Sequence, residues 1–174
     1  SLEQAQSENL TLYKRTTTTP PLRLAVHIIR SSSGSGGISE ADLQEKIEYL
    51  NYYMGQAYFE FYEYTRDYID SDYFFTINNE QKIIQLLQVN SKNACINVYF
   101  VPNFSGYNGV ARFSPRLNNT GIHGIIVRNG APVSTLPHEM GHFFDLFHTH
   151  ETYFNPTGIF ENIARTGSCA NWDY

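Results

Sequence analysis

The 174 residues, 41% of them hydrophobic, suit one domain with a proper core. A formal net charge of -5 at pH 7 leaves no basic field for nucleic acid or an anionic membrane surface. No apolar run reaches membrane-spanning length, and Cys95 and Cys169 are too few for a cysteine-rich metal module or a disulfide scaffold.

Residues 1–21 are polar and end in Thr16-Thr17-Thr18-Thr19-Pro20-Pro21, which reads as an extended leader ahead of a folded unit over 22–174. No stretch of it reads as a secretory signal. Leu22 to Arg30 is dense in Leu, Val and Ile and is predicted as a strand buried on both faces, as inside a parallel sheet. His27 within it has no second ligand nearby in sequence and is read as a hydrogen-bonded core histidine. A Ser/Gly loop follows, then Ser39-Glu40-Ala41-Asp42 resembles a capping box. Leu43, Ile47, Leu50, Met54, Ala57 and Phe61 recur at steps of three and four, which predicts one long helix with a single apolar stripe.

From Phe59 to Ile77 the chain is crowded with Tyr and Phe, and one or two strands are expected there. Asn79 to Asn90 is predicted as a short helix, Cys95 to Val101 as a second sheet-core strand stopped by Pro102, Gly109 to Ser114 as a short strand, and His123 to Arg128 as another closed by Asn129-Gly130. His123 is read as structural or surface. Cys95 and Cys169 could pair with each other, which spacing leaves open. Triplets at Asn9, Asn103 and Asn118 match the glycosylation acceptor pattern but are too common to decide anything.

Ser134 is placed as the cap of a further helix with Pro137 in its first turn, where a missing N–H does no harm. That helix carries His138-Glu139-Met140-Gly141-His142, with a third histidine at His148. Four helical residues turn the chain through about 400°, so the rings of His138 and His142 sit one above the other and can share one metal ion. Glu139 lies beside them, able to reach a water on that ion. On an unbroken helix His148 would lie roughly 80° off this face and about 15 Å along the axis, out of reach. The chain must therefore break its helix between Phe144 and Leu146. Asp145 sits at that point, and Asp tolerates the left-handed conformation better than most residues with a side chain. Phe143, Phe144 and Phe147 are expected to anchor the helix and turn against the core. After His150 the chain reads as loop to its end.

The order β, α, β, short α, β, β, β, α predicts an α/β fold: a mixed, mostly parallel twisted sheet with a long backing helix and a metal-site helix. The motif itself resembles His-Glu-x-x-His-x-x-Gly-x-x-His, the zinc signature of the metzincin metallopeptidases, with Asp145 in place of the Gly. The run from Pro137 to Thr149, with Gly141, two Phe after His142 and Thr149 after His148, is most similar to the pappalysin branch. A weaker likeness extends back to the strand at Leu22.

This resemblance implies a secreted or cell-envelope zinc endopeptidase acting on a protein or peptide. The ligands would be His138, His142 and His148, and Glu139 would serve as general base and then acid. It also implies an antiparallel edge strand, matched here by Gly109 to Ser114, that pairs with the substrate backbone. Metzincins carry a Met-containing turn downstream of the third histidine, whereas Met54 and Met140 both precede His148. The C-terminal subdomain bearing that turn is thus expected to lie outside this sequence, along with calcium sites of the full-length protein.

Two alternatives stay open. Glu161, nineteen residues past His142, could serve as third ligand on a second helix, as in thermolysin-like enzymes. Asp145 as a ligand would demand an unbroken helix, and His150 competes with His148 only by proximity. The other alternative keeps the scaffold as a peptide-binding module without chemistry.

Overall fold

A computed structural model describes residues 20–112, 121–146 and 148, together with the backbone of Tyr153–Phe154 and Phe160–Glu161. The predicted leader lies almost wholly outside these residues, as do Cys169 and with it any pairing to Cys95, the acceptor triplets at Asn9 and Asn118, Phe147 and His150. Strand β1 (Leu22–Arg30) is buried without interruption from Leu24 to Ile29, as a strand covered on both faces requires. Strand β4 (Ile96–Val101) is buried at all six positions for the same reason.

Helix α1 (Glu40–Gly55) starts where the capping pattern places it, with the Ser39 hydroxyl accepting the Asp42 N–H at 3.1 Å. It ends earlier than the apolar spacing predicts. The chain turns after Gly55, Tyr58 takes a left-handed φ of 63°, and Phe61 opens strand β2 (Phe61–Asp70). Phe61 still joins the core beside Leu43, Ile47 and Leu50, because β2 begins beneath the helix end; its spacing imitated another helical turn. Asn51 fixes this reversal. Its amide nitrogen donates to the Phe61 carbonyl at 3.0 Å, and its Oδ1 accepts the Phe61 N–H at 2.7 Å.

The aromatic stretch thus resolves into the ten-residue β2 and the short β3 (Thr76–Ile77), with Tyr73 and Phe74 in the turn between them. Helix α2 (Glu80–Leu86) is capped by Asn79, whose Oδ1 accepts the Lys82 N–H at 2.9 Å. Strand β5 (Asn103–Phe104), which the sequence did not reveal, pairs parallel with β3. Strands β6 (Gly109–Arg112) and β7 (Gly124–Arg128) follow, then helix α3 (Thr135–Phe143). Beyond it, where only loop was expected, the backbones of β8 (Tyr153–Phe154) and β9 (Phe160–Glu161) pair antiparallel.

The main sheet has the order β2-β1-β4-β7-β6. Its first four strands are parallel and β6 alone runs antiparallel, against β7. One face packs Leu24, Val26, Val98, Phe100, Ile125 and Val127 against α1 and α3. The other packs Ile29, Tyr99, Val101 and Ile126 against Ile83, Leu86 and Leu87 at and just beyond α2. This is the mixed, mostly parallel α/β sheet with a backing helix that the element order implied.

His27 is the interior histidine the sequence suggested, only 1% exposed. Its Nδ1 lies 2.7 Å from Asp67 on β2, its Nε2 3.0 Å from Asn97 Oδ1 on β4, and its ring stacks on Tyr99 at 4.3 Å. Asn97 is oriented in turn by accepting the Lys92 N–H at 2.8 Å, so one hydrogen-bonded chain crosses three strands.

The Asn51 clamp carries a stability prediction. Phe61 is buried, so truncating the amide strands a backbone donor and an acceptor. Asn51→Ala should destabilise by about 2–3 kcal/mol in urea unfolding at unchanged m value; a loss below about 0.5 kcal/mol would show that the clamp does not hold β2 to α1.

Candidate metal centre

Helix α3 leaves the sheet from the loop after β7 and runs under the edge formed by β7 and β6. Leu136 and Met140 bury one side of it in the core, which turns His138 and His142 to the open side. Ser134 occupies the cap position, but the expected cap bond is absent: its own backbone is already helical (φ -68°, ψ -16°) and its hydroxyl accepts nothing from the first turn. Pro137 sits within that turn, as predicted.

The helix ends as the third histidine requires. Asp145 adopts φ 67°, the left-handed conformation. Its N–H donates to the His142 carbonyl at 2.9 Å, and the Leu146 N–H donates back to the Gly141 carbonyl at 3.0 Å. These two bonds form a Schellman turn, with Asp145 where a glycine usually stands. The chain doubles back, and His148 returns to the face carrying His138 and His142.

The three Nε2 atoms then form a nearly equilateral triangle. His138 to His142 is 3.1 Å, His142 to His148 is 2.9 Å, and His148 to His138 is 3.2 Å. Ligands at about 2.0–2.1 Å from a tetrahedral zinc stand roughly 3.3–3.4 Å apart, so the triangle is close to that demanded by one ion. The turn also fixes a tautomer. His142 Nδ1–H donates to the Leu146 carbonyl at 2.7 Å, which leaves its Nε2 lone pair facing the centre. Lone pairs on rings this close repel unless a cation lies among them. Among the described residues, this is the one group of three or more His, Cys, Asp or Glu side chains with that convergence.

Glu139, the residue after His138, is 6% exposed and packs against the first residue of β6. A Cβ added to Gly109 would come within 2.8 Å of Glu139 Cγ and 2.9 Å of its Oε1, so the strand can approach the carboxylate only because this residue is glycine. Burial pushes the carboxyl group up to about 7, while a hydrogen bond from the Ala111 backbone pulls it partly back. A carboxylate poised near neutrality against a sheet edge, on the same helix as two of the convergent imidazoles, suits proton transfer at physiological pH.

The rivals fare differently. Asp145 lies in the turn, off the helical face that an alternative ligand set would need. Glu161 lies on β9, whereas the thermolysin-like arrangement needs a helix there. His27 and His123 stay outside the three-histidine cluster. Gly109 is the one contributor that sequence reasoning passed over as a site residue; its only signal was a glycine opening a predicted strand.

The turn makes a sharp prediction. Asp145→Gly should keep zinc affinity within about threefold, because glycine prefers this φ. A β-branched Asp145→Val should strain the backbone by about 1–2 kcal/mol and weaken zinc at least tenfold in chelator competition. Equal affinities for the two variants would contradict a left-handed residue 145.

No family model matches the chain. It is 28% identical over 163 residues to extracellular metalloproteases of Arthroderma benhamiae and of Trichophyton verrucosum, an alignment covering 85% of this chain and 54% of each relative. The chain therefore spans about half the length of the curated relatives it matches. Among solved structures it resembles mature mirolysin of Tannerella forsythia in complex with a cleaved peptide, with TM-score 0.58 at 19% identity over 77% of this chain and 66% of that one. Mirolysin in complex with compound 9 superposes equally well, with TM-score 0.59. The chain has the mixed α/β fold of the mirolysin metallopeptidase and is similar in sequence to extracellular metalloproteases.

Proposed function

We propose that residues 22–174 are the zinc-binding part of the catalytic domain of a metzincin endopeptidase of the pappalysin type, acting on proteins or peptides outside the cell, with residues 1–21 as its leader. The observation that carries this reading is the Nε2 triangle of His138, His142 and His148. The similarity to extracellular metalloproteases supports the proteolytic activity and the location; among the described residues no helix is long and apolar enough to cross a membrane. The run Pro137 to Thr149 supports the pappalysin branch. The Met-turn subdomain and any calcium sites would belong to sequence outside these residues.

His138, His142 and His148 would hold the metal through Nε2. A zinc ion held there would supply an acidified water and polarise the scissile carbonyl. Glu139 accepts the proton of the attacking water and returns it to the leaving amine nitrogen. Strand β6 is the sheet's edge, and its short antiparallel backbone suits addition of an extended peptide alongside. Cleaved peptide held by mirolysin is consistent with such a site on this fold.

The test uses the full-length parent protein. Elemental analysis should find one zinc per chain, and His148→Ala should lower metal affinity markedly. Glu139→Gln should retain zinc and abolish casein or peptide digestion. Zinc held at full affinity by His148→Ala would refute the third ligand, and a Glu139→Gln protein as active as the parent would refute the base. Stoichiometric zinc with no cleavage of any peptide by the parent would favour a binding module instead. Gly109→Ala should displace the Glu139 carboxylate, lowering kcat at least tenfold with zinc content unchanged; an unaltered kcat would mean that the close approach of β6 is irrelevant to proton transfer.

A further inference from the structure

The stripe that α1 buries contains one charged residue. Lys46 lies among Leu43, Ile47 and Leu50 and is 3% exposed. A buried ammonium without a partner is costly, and burial lowers its proton affinity, a trend that Asp42 and Glu45 partly oppose. Lys46 Nζ donates to the carbonyl of Ala131 at 2.5 Å. Ala131 is in the loop that joins β7 to α3, seven residues before His138.

That loop is held at several points. The Asn129 N–H donates to Val101 at 2.8 Å, its side chain donates to Gly36 at 3.2 Å, and the Ala131 N–H donates to Arg128 at 3.0 Å. The start of α3 lacks the side-chain cap that ordinarily fixes a helix entry. Its entry is fixed instead by the loop, where the Thr135 N–H donates to the Pro132 carbonyl at 3.0 Å. The Lys46 bond ties the backing helix directly to this loop.

We infer that Lys46 is a positioning residue for the metal site: through the Ala131 carbonyl it sets where α3 begins, and hence how the helix carrying His138 and His142 lies against the sheet. The inference rests on the metal-site reading above. Lys46 acts through the loop, by its bond to the Ala131 carbonyl.

Lys46→Met keeps the volume and removes the donor, whereas Lys46→Gln keeps a shorter donor. Zinc affinity is read by chelator competition, site geometry by the visible spectrum of the cobalt-substituted protein, and folding by the melting temperature of the metal-free form. Lys46→Met removes a buried charge but leaves the Ala131 carbonyl without its donor; it should fold with a melting temperature within about 5 °C of the parent's, yet bind zinc about tenfold more weakly with a shifted cobalt spectrum. Lys46→Gln should recover part of both. Parental affinity and spectrum in a folded Lys46→Met overturn the inference. Failure of Lys46→Met to fold also overturns it, by assigning the residue to the core. Absence of zinc binding in the parent refutes the metal-site reading itself, a result distinct from either.

Discussion

One residue in an unusual backbone conformation holds the candidate site together. With Asp145 at φ 67°, the helix that presents His138 and His142 stops within two residues and the chain returns along its own face. The same reversal turns the Leu146 carbonyl onto His142 Nδ1, so the bend that delivers a third ring also decides which nitrogen of the second ring faces the centre. Geometry and tautomer are thus set by a single turn of backbone. An aromatic group steadies it from outside: Phe144 at the helix end stacks on Phe59 at 5.1 Å and lies near Phe61 at 6.4 Å. The break after α1 and the break after α3 therefore share one cluster of rings, which ties the end of the backing helix to the end of the metal-site helix.

The sheet supplies the other half of the arrangement. Four parallel strands, three of them (β1, β4 and β7) buried on both faces, give a floor with little freedom, and α1 and α3 share the core on one side of it. This places Glu139 against the lone antiparallel strand. Its carboxyl is dry enough to be pushed toward neutrality and yet hydrogen-bonded by the Ala111 backbone. A water-facing carboxylate on the same helix would have kept an ordinary acidity and been a weaker base at neutral pH.

Much of this was legible in the sequence, and the reasons are specific. Strands such as β1 and β4 announce themselves because burial on both faces leaves only His27 and Asn97, bonded to each other, to interrupt their buried apolar runs. The turn at 145 followed from arithmetic, since a continuous helix cannot bring residue 148 to residue 138. What failed were boundaries set by tertiary contacts. Phe61 continued the helical spacing of α1 yet belongs to β2, because a residue beneath a helix end and a residue in its next turn reach the same core. Ser134 had the right identity for a cap, but its backbone was drawn into the helix and the loop clamps took over the role. Strand β5 and its pairing with β3 were invisible because a two-residue strand carries no periodicity. The tightness at Gly109 arises from a partner thirty residues away, which no local pattern encodes.

The glycine that opens β6 has a bearing on how that strand is aligned. Gly109 faces Val127, and the ladder continues through Val110 with Ile126 and Ala111 with Ile125. Sliding the strand by one position would exchange its two sides and press either Asn108 or Val110 into the space Glu139 fills. The carboxylate thus acts as a gauge for the ladder: only one alignment of the sheet margin leaves it room. Lengthening or shortening the loop between β5 and β6 by a single amino acid would consequently be felt first at the Glu139 carboxylate, before the hydrophobic interior registered any change.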